Sequence, residues 1–394
     1  MMTHTLLSQD RTGIYYWKCD RAAAFHGTDA ACSDTSLMAS QLRHALQQRF
    51  PGMAFEIHPA NGQGNHRTFR LKGDMTHCVE RDRLHVQGGS RPAADGPSAS
   101  EAFIRTEDGP EADNYFDVET VVTDQLRACG LAVPQVWACD CAREATPFAW
   151  QMLAYIPHPD LNHHFKNGTL ALAGIAEAIG EAIARWQDVK PSGFGPFSAR
   201  QAKARQTLVG LHASYDAYYT LNLQRHLRFL VDHAFLTSAQ AQAIMAAVSR
   251  HQALLDVRQG VLVHKDLALW NILGTPDRIA AFIDWDDAIS GDPMDDLSLL
   301  ACFHGAPVIA RALAGYARVR PLPEHALPRF WLHLLRNMIV KAVIRVGAGY
   351  FTRDDGFYLI NAGSNGGDLE TLTRMRLDTA LQGLNENCDL SILP

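Results

Sequence analysis

The spacing of hydrophobic residues changes near Pro157 and divides the chain into two regions. Before this point, short apolar runs bounded by turn residues predict five strands, at 54–58, 67–72, 102–105, 136–139 and 148–155. An amphipathic helix is predicted among them over 117–129, where Val118, Val122 and Leu126 share one face. After Pro157 the apolar residues recur at spacings of three and four, which is typical of helices. The pattern predicts an α+β, two-lobed chain with a small β-rich N-lobe and a larger, mainly helical C-lobe.

The same pattern predicts where these regions begin and end. We expect an N-terminal extension over 1–52, containing a helix near 37–49 and packing on the main body, with no role evident from its residues. The N-lobe is predicted over 53–153, a hinge over 154–157 and the C-lobe over 158–394. Residues 73–100 are rich in Gly, Pro, Ser and Asp, which favours a flexible insertion or an extended hairpin. C-lobe helices are predicted near 175–187, 328–345 and 369–384, with a strand–loop–strand segment at 261–284.

Polar residues interrupt this strand–loop–strand segment at positions that suit phosphoryl transfer. Asp266 follows one apolar run, Asn271 comes five residues later, and Asp284 follows a second apolar run. One carboxylate can orient a substrate hydroxyl and accept its proton, while an amide oxygen and a second carboxylate hold Mg²⁺ on nucleotide phosphates.

Three motifs carry a family resemblance. The segment from His264 to Asn271 reads H-x-D-x-x-x-x-N, Ile283–Asp286 reads I-D-W-D, and Gly291–Leu297 reads G-D-P-M-D-D-L. In this order the motifs resemble those of the aminoglycoside phosphotransferase and choline kinase family, relatives of the protein kinases. The resemblance extends over about residues 53–394 and implies a protein-kinase-like fold. It also implies an ATP- or GTP-dependent O-phosphotransferase that acts on a small-molecule hydroxyl.

The resemblance assigns expected roles to the motif residues. Asp266 would be the catalytic base, and Asn271 and Asp284 would bind Mg²⁺. His264 and Asp296 would support the catalytic loop without reacting. Lys265 stands where the family commonly has glycine, and it is expected either to form an ion pair or to face the γ-phosphate.

The resemblance also implies a nucleotide site between the lobes. The loop before the second strand would cover the phosphates with Gly64 and Asn65, and the hinge would meet the base through backbone groups of Ala154 and Ile156. A phosphate-binding arginine, Arg105, would be held by Glu119 from the following helix. The insertion at 73–100 leaves two other arginines open as the phosphate cation, Arg83 and Arg70.

The acceptor is less constrained by these motifs. Residues 284–296 contain six aspartates and no Lys or Arg. Three of them, Asp286, Asp287 and Asp295, are candidates for binding a cationic acceptor such as an amine-bearing sugar or a choline-like molecule. The alternative is that these carboxylates only support the loop and cap the next helix. Antibiotic modification and metabolic or biosynthetic phosphorylation both remain open.

Composition narrows the class of protein further. The net charge of −6 disfavours a nucleic-acid binder, and no apolar run is long enough to span a membrane. The N-terminus lacks the features of a signal peptide, so we expect a cytoplasmic protein. The eight cysteines are expected to be reduced thiols, and Cys139 and Cys141 are too close in sequence for a zinc ribbon.

Three alternatives to a small-molecule kinase are considered. A protein kinase is disfavoured because no A-P-E element follows Asp284. A catalytically silent nucleotide-binding module on the same fold is disfavoured by the intact Asp266, Asn271 and Asp284. A protein-interaction scaffold that uses the N-terminal extension would reveal itself as a stable complex.

Overall fold

The small lobe is built on one antiparallel sheet. The structure, a computed structural model, describes residues 15, 35–60, 66–75, 100–108, 115–353, 366–386 and 388–394. The sheet has the order β1-β2-β3-β5-β4 and consists of β1 Phe55–Ala60, β2 Arg67–Gly73, β3 Glu101–Glu107, β4 Val136–Asp140 and β5 Ala149–Ala154. All five predicted strands are confirmed, with ends shifted by one or two residues. The register pairs Arg105 of β3 with Thr68 of β2 and Gln151 of β5, which puts the arginine in the middle of the sheet.

Two helices pack on this sheet or beside it. Helix α1, Thr35–Arg49, confirms the helix predicted in the N-terminal extension, and its Leu42 and Leu46 are buried with Phe69 of the sheet. Each fully buried leucine stabilises the fold by roughly 1.5–3 kcal/mol relative to an exposed one. Helix α2, Phe116–Ala128, follows β3 and buries Val118, Val122 and Leu126, as its apolar spacing predicts.

The large lobe is mainly helical. Its helices are α3 Leu161–Lys166, α4 Leu172–Trp186, α5 Ala199–Arg205, α6 Tyr215–Tyr219, α7 Leu223–Asp232, α8 Ser238–Arg250, α9 Asp295–Ala301, α10 Ala306–Val319, α11 Ala326–Gly347 and α12 Gly366–Asn385. Short strands lie among them: β6 Phe194–Phe197, β7 Gly210–His212, β8 Val261–Val263, β9 Ile272–Thr275, β10 Arg278–Phe282 and β11 Ile289–Gly291. The predicted helices near 175–187, 328–345 and 369–384 are confirmed as α4, α11 and α12. Among the described residues, no helix is both long enough and apolar enough to cross a membrane.

Helices α4 and α10 form the closest helix pair in this lobe. Gly180 of α4 lies against the carbonyl of Ala312, and Gly315 of α10 lies against the carbonyl of Glu177. A Cβ atom at either glycine would collide with the facing backbone, so both positions require glycine. Helix α4 thereby provides a rigid support, and its Trp186 donates a hydrogen bond to Asp296 of α9.

Short strands position the polar motifs at one end of the large lobe. Strands β9 and β10 form an antiparallel hairpin, and β8 pairs with β11 in a separate four-stranded sheet of order β7-β6-β11-β8. His264, Lys265 and Asp266 directly follow β8, whereas Asp284 follows β10. The predicted strand–loop–strand segment therefore contains three strands, since the chain between the two polar clusters folds back as β9.

Candidate active site

The loop after β8 is held in place by the carboxylate of Asp296. Asp296, at the start of α9, accepts hydrogen bonds from the backbone N–H groups of His264 at 2.8 Å and Lys265 at 3.1 Å. The indole of Trp186 donates to the same carboxylate at 3.2 Å. Burial raises the pKa of Asp296 to about 7, and the hydrogen bonds from the two backbone N–H groups oppose that rise. A carboxylate with these partners fixes the backbone path that leads to Asp266.

His264 links this loop to the one after β10. Its Nε2 lies 2.9 Å from the carbonyl oxygen of Ile283, and its Nδ1 lies 3.3 Å from the backbone nitrogen of Asp266. The two contacts are satisfied together when Nε2 carries the proton and Nδ1 accepts. Burial lowers the pKa of His264, which favours this neutral form. The imidazole is therefore placed to connect the two loops.

Asp266 and Asn271 form the centre of the site. The Asn271 amide nitrogen donates to the Asp266 backbone carbonyl at 2.7 Å and approaches the Asp266 carboxylate at 3.2 Å. This orientation leaves Oδ1 of Asn271 as the amide atom that can face a cation. The Asn271 carbonyl also accepts from the N–H of Ile283 at 3.0 Å, which ties it to the loop that carries Asp284.

The small lobe contributes a buried arginine to the same site. Arg105 donates to Asp284 at 2.6 Å and to Gln151 at 3.1 Å, and it forms an ion pair with Glu119. Glu119 also accepts from the backbone N–H of Trp285 at 3.0 Å, so the glutamate joins both lobes. Burial raises the pKa of Glu119, while the Arg105 guanidinium opposes that rise.

Arg70, the other arginine candidate that the structure describes, does not reach this cluster. Arg70 pairs with Glu101 at 2.6 Å and lies over the ring of Tyr155. Arg83 lies outside the described residues, as do Gly64 and Asn65 of the predicted phosphate loop. Among the described candidates, Arg105 is therefore the one that meets both Glu119 and Asp284.

A histidine that the sequence analysis did not single out completes the cleft. Nε2 of His66 lies 3.5 Å from Asp286, and Nδ1 lies 3.4 Å from Glu107. Ligand atoms of His66, Asp284 and Asp286 all lie within 4.8 Å of one another. The signal was its position directly after the Gly/Asn-rich segment 61–65, which the sequence analysis had already proposed as the loop over the phosphates.

Some backbone groups of the hinge residues Ala154 and Ile156 form hydrogen bonds within the protein. The N–H of Ala154 donates to the Gln135 carbonyl at 2.8 Å, and the carbonyl of Ile156 accepts from His158 at 2.9 Å. The remaining groups of interest are the carbonyl of Ala154 and the N–H of Ile156. Strand β5 ends at Ala154, so Ile156 lies in the non-strand segment that leads into the large lobe.

The structure resolves the two alternatives for Lys265 in favour of an ion pair. Its ammonium lies 2.8 Å from Asp295, 2.9 Å from the Asn337 side-chain oxygen and 3.3 Å from the Tyr15 hydroxyl. Burial opposes ionisation of Lys265, but the Asp295 carboxylate and the Tyr15 hydroxyl raise its pKa overall. Its φ of 69° explains why glycine would suit this position, because a side chain in this region costs roughly 1–2 kcal/mol.

Tyr15 joins the N-terminal extension to the large lobe. The side chain is 1% exposed, its ring stacks on Tyr218 with centroids 4.6 Å apart, and the Arg336 guanidinium lies 3.4 Å from the ring centroid. With Lys265 at its hydroxyl, Tyr15 packs directly behind the catalytic loop. The sequence analysis expected the extension to pack on the main body but did not identify Tyr15 as a contact residue.

The ion pair of Lys265 supports a stability prediction. Lys265→Met is expected to reduce the free energy of unfolding by about 3–5 kcal/mol, because Asp295 stays buried without its cation. In the double variant Lys265→Met/Asp295→Asn the loss should be smaller than the sum of the two single losses, as measured by denaturant unfolding. Additive losses would show that the two side chains are not energetically coupled.

Comparisons with known proteins identify the family of the chain. Residues 94–330 match the model of the phosphotransferase enzyme family. This match covers more than half of the chain, so the chain belongs to that family. It is an enzyme of the phosphotransferase class, a small-molecule kinase. No curated protein matches the chain.

Solved structures share the fold at low sequence identity. A ternary complex of a thermostable mutant of aminoglycoside phosphotransferase APH(4)-Ia with AMP-PNP and hygromycin B is 17% identical, with a TM-score of 0.55 over 86% of this chain and 96% of that one. A protein assigned as a fructosamine-3-kinase from Thermobifida fusca is 20% identical, with a TM-score of 0.54 over 86% and 99%. These similarities show the two-lobed kinase-like fold.

Proposed function

We propose that the protein transfers the γ-phosphoryl group of ATP or GTP to a hydroxyl of an amine-bearing small molecule such as an amino sugar or antibiotic. The observation that carries this proposal is the convergence of Asp266, Asn271, Asp284 and Arg105 in one cleft. The structures similar in fold include a complex with a nucleotide analogue and hygromycin B, which supports the two substrate classes.

Asp266 is the proposed catalytic base. It accepts the proton of the acceptor hydroxyl as the oxygen bonds to the γ-phosphorus, and the bond to the β–γ bridging oxygen breaks to release the nucleoside diphosphate. Asn271, His264 and Asp296 are assigned to positioning, because their hydrogen bonds fix the backbone on both sides of Asp266.

The donor set at the cleft fits Mg²⁺. Asn271 Oδ1 and the Asp284 carboxylate are hard oxygen donors, and the Asp286 carboxylate lies beside Asp284. The ion would neutralise negative charge on the nucleotide phosphates. In this proposal Asn271 and Asp284 are its ligands, while His66 and Asp286 close the cleft from opposite lobes.

Arg105 is the proposed phosphate cation, and Ala154 and Ile156 are the proposed contacts of the base. Glu119 and Gln151 orient the guanidinium, whose Nη1 points towards Asp284. The Ala154 carbonyl and the Ile156 N–H offer an acceptor and a donor at the hinge. Gly64 and Asn65 keep their proposed role above the phosphates.

Arg105→Lys is expected to raise the KM for the nucleotide and lower kcat, by about 10- to 150-fold together in kcat/KM. An ammonium retains the charge but cannot contact Glu119, Gln151 and phosphate at once, and each charge-assisted hydrogen bond contributes about 1.5–3 kcal/mol. Arg70→Lys is the matched control in steady-state kinetics, because Arg70 pairs with Glu101 instead. Equal kinetics for the two variants would remove Arg105 from the phosphate site.

The three candidate acceptor aspartates have different surroundings. Asp295 is engaged by Lys265, and Asp286 faces His66 of the small lobe. Asp287 lies near Tyr218: burial raises the pKa of the Tyr218 hydroxyl, and nearby charge that includes the Asp287 carboxylate adds to the rise. We select Asp287 for the test because it is buried and close enough to the buried Tyr218 hydroxyl to contribute to its raised pKa.

Asp287→Asn is expected to reduce kcat/KM for a cationic acceptor by about 10- to 150-fold, with nucleotide KM nearly unchanged. Asp286→Asn serves as the comparison and should change the nucleotide parameters instead. A neutral, amine-free best acceptor whose KM is unaffected by Asp287→Asn would contradict the cationic acceptor while leaving phosphotransfer intact.

The proposed function is tested by a nucleotide-consumption screen with Mg²⁺. Aminoglycosides, macrolides, amino alcohols and sugars are offered with ATP or GTP to wild type and to Asp266→Asn. Acceptor-dependent consumption by wild type alone supports the proposal. Nucleotide binding without consumption for any acceptor would favour a catalytically silent module.

A further inference from the structure

A second cluster of ligand atoms lies on the outer face of the small lobe. Asp117, Cys139 and Cys141 each offer one such atom, and the three atoms all lie within 4.8 Å of one another. Cys139 Sγ lies 3.9 Å from Asp117 Oδ1. All three residues are partly exposed, so solvent reaches the cluster.

The fold brings these residues together from two elements. Cys139 lies in β4 and Cys141 follows its last residue, and side chains two apart on a strand point to the same side. Asp117 is in the first turn of α2, and Thr120, one turn further, lies 4.0 Å from Cys139 Sγ through its hydroxyl. The cluster therefore spans the junction between the edge strand and α2.

The turn that carries Cys141 is fixed by its neighbour. The Asp140 carboxylate accepts hydrogen bonds from the backbone N–H groups of Glu144 at 3.2 Å and Ala145 at 3.0 Å. These bonds hold the backbone after β4 in one conformation. Cys141 thus meets the other two ligand atoms from a constrained turn.

We propose that Asp117, Cys139 and Cys141 form a binding site for a thiophilic divalent cation such as Zn²⁺, with water as the fourth ligand. Zn–S bonds of about 2.3 Å and Zn–O bonds of about 2.0–2.2 Å place tetrahedral ligand atoms about 3.6–3.8 Å apart. The separation of 3.9 Å between Cys139 Sγ and Asp117 Oδ1 is close to this range, and all three ligand atoms lie within 4.8 Å of one another. Two thiolates select Zn²⁺ over Mg²⁺, which separates this site from the cleft between the lobes.

A metal bridge fits the two cysteines better than a disulfide does. Residues two apart on a strand have Cα atoms roughly 6.6–6.8 Å apart, at the long end of the disulfide range. A bridging cation needs the two sulfur atoms at about 3.8 Å instead of about 2.05 Å. This spacing, C-x-C with a carboxylate from a helix, differs from the zinc ribbon that the sequence analysis considered.

The test uses the full-length protein, reduced with a non-thiol reductant and stripped of metal. We expect one Zn²⁺ to bind per chain in competition with a chromophoric chelator, and Cd²⁺ to produce a thiolate charge-transfer band in the ultraviolet. The double variant Cys139→Ser/Cys141→Ser should lose the band and weaken Zn²⁺ binding by at least about 100-fold. Asp117→Asn should weaken Zn²⁺ binding while retaining the band.

The matched control is the double variant Cys129→Ser/Cys388→Ser, which removes two thiols elsewhere and should bind Zn²⁺ like wild type. Zn²⁺ should raise the Tm of wild type and of this control but not that of Cys139→Ser/Cys141→Ser. A band that survives in Cys139→Ser/Cys141→Ser, or its absence from wild type, would overturn the proposed site. Circular dichroism in the presence of a chelator checks that each variant is folded.

One consequence rests on the proposed phosphotransferase function. Asp117 lies two residues before Glu119, so a cation that joins β4 to the start of α2 would brace the helix that orients Arg105. Removing Zn²⁺ should raise the nucleotide KM of wild type severalfold and leave Cys139→Ser/Cys141→Ser unchanged. Metal binding without this kinetic effect would refute the coupling alone, and the chelator competition is independent of any enzymatic activity.

Discussion

Asp266→Asn is expected to lower kcat by about 10²- to 10⁴-fold while nucleotide affinity is retained. The amide has nearly the shape of the carboxylate and can keep the contact with Asn271 at 3.2 Å, but it cannot accept the proton of the acceptor hydroxyl. Single-turnover kinetics should therefore show a slow chemical step. Equilibrium binding of a non-hydrolysable nucleotide measures the retained affinity.

A control for this variant is available in the same fold. Asp277→Asn changes an aspartate in the turn between β9 and β10, whose carboxylate accepts from Thr275, and should leave kcat unchanged. If Asp266→Asn kept wild-type kcat, the role of base would have to move to another group in the cleft. If it lost nucleotide binding together with turnover, the substitution would have changed the conformation of the loop as well as removing the proton acceptor.

Asp284→Ala is expected to weaken Mg²⁺-dependent nucleotide binding by at least about 100-fold, because a proposed ligand of the cation disappears. The carboxylate also accepts from Arg105 at 2.6 Å across the lobes, so its removal loosens the cleft as well. Calorimetric titration with nucleotide should show this loss in the presence of Mg²⁺ and a much smaller change in its absence.

Asp284→Asn separates the two contributions of that carboxylate. The amide oxygen can still accept from Arg105, whereas a neutral group is a poorer ligand for Mg²⁺. An affinity near wild type in Asp284→Asn but not in Asp284→Ala would assign Asp284 to holding Arg105. Equal Mg²⁺-dependent affinity in wild type and Asp284→Ala would reject the metal assignment.

The sequence predicted the strands of the small lobe well because their information is local. Short apolar runs separated by turn residues between 54 and 73 define both strands of the first hairpin, and the structure pairs them with Phe55 opposite Gly73. The helix that carries Glu119 was equally clear from its apolar face. By contrast, the region after Pro157 was predicted to be mainly helical, yet it contains β7, whose three residues are too few for a periodic signal.

Contacts between distant residues were less predictable. The sequence left Arg70, Arg83 and Arg105 as alternatives for the phosphate cation, and nothing in it indicated that Arg105 lies beside Asp284, 179 residues away. Lys265 was likewise undetermined until the fold placed Asp295 beside it. Neither contact can be predicted from a motif. The first depends on how the two lobes pack, and the second on how α9 packs against the loop after β8.

By itself, the sequence determined the class of this protein and predicted the residues at its centre. Asp266, Asn271 and Asp284 are close enough in sequence for local structure to bring them together. Their spacing therefore predicted a phosphoryl-transfer site. Only the tertiary structure decided that Tyr15 packs behind the catalytic loop, that His66 faces Asp286, and that Asp117 meets Cys139 and Cys141. These contacts form when apolar faces on separate elements are buried against one another. Local apolar spacing shows that an element has such a face, but it does not show which other face covers it.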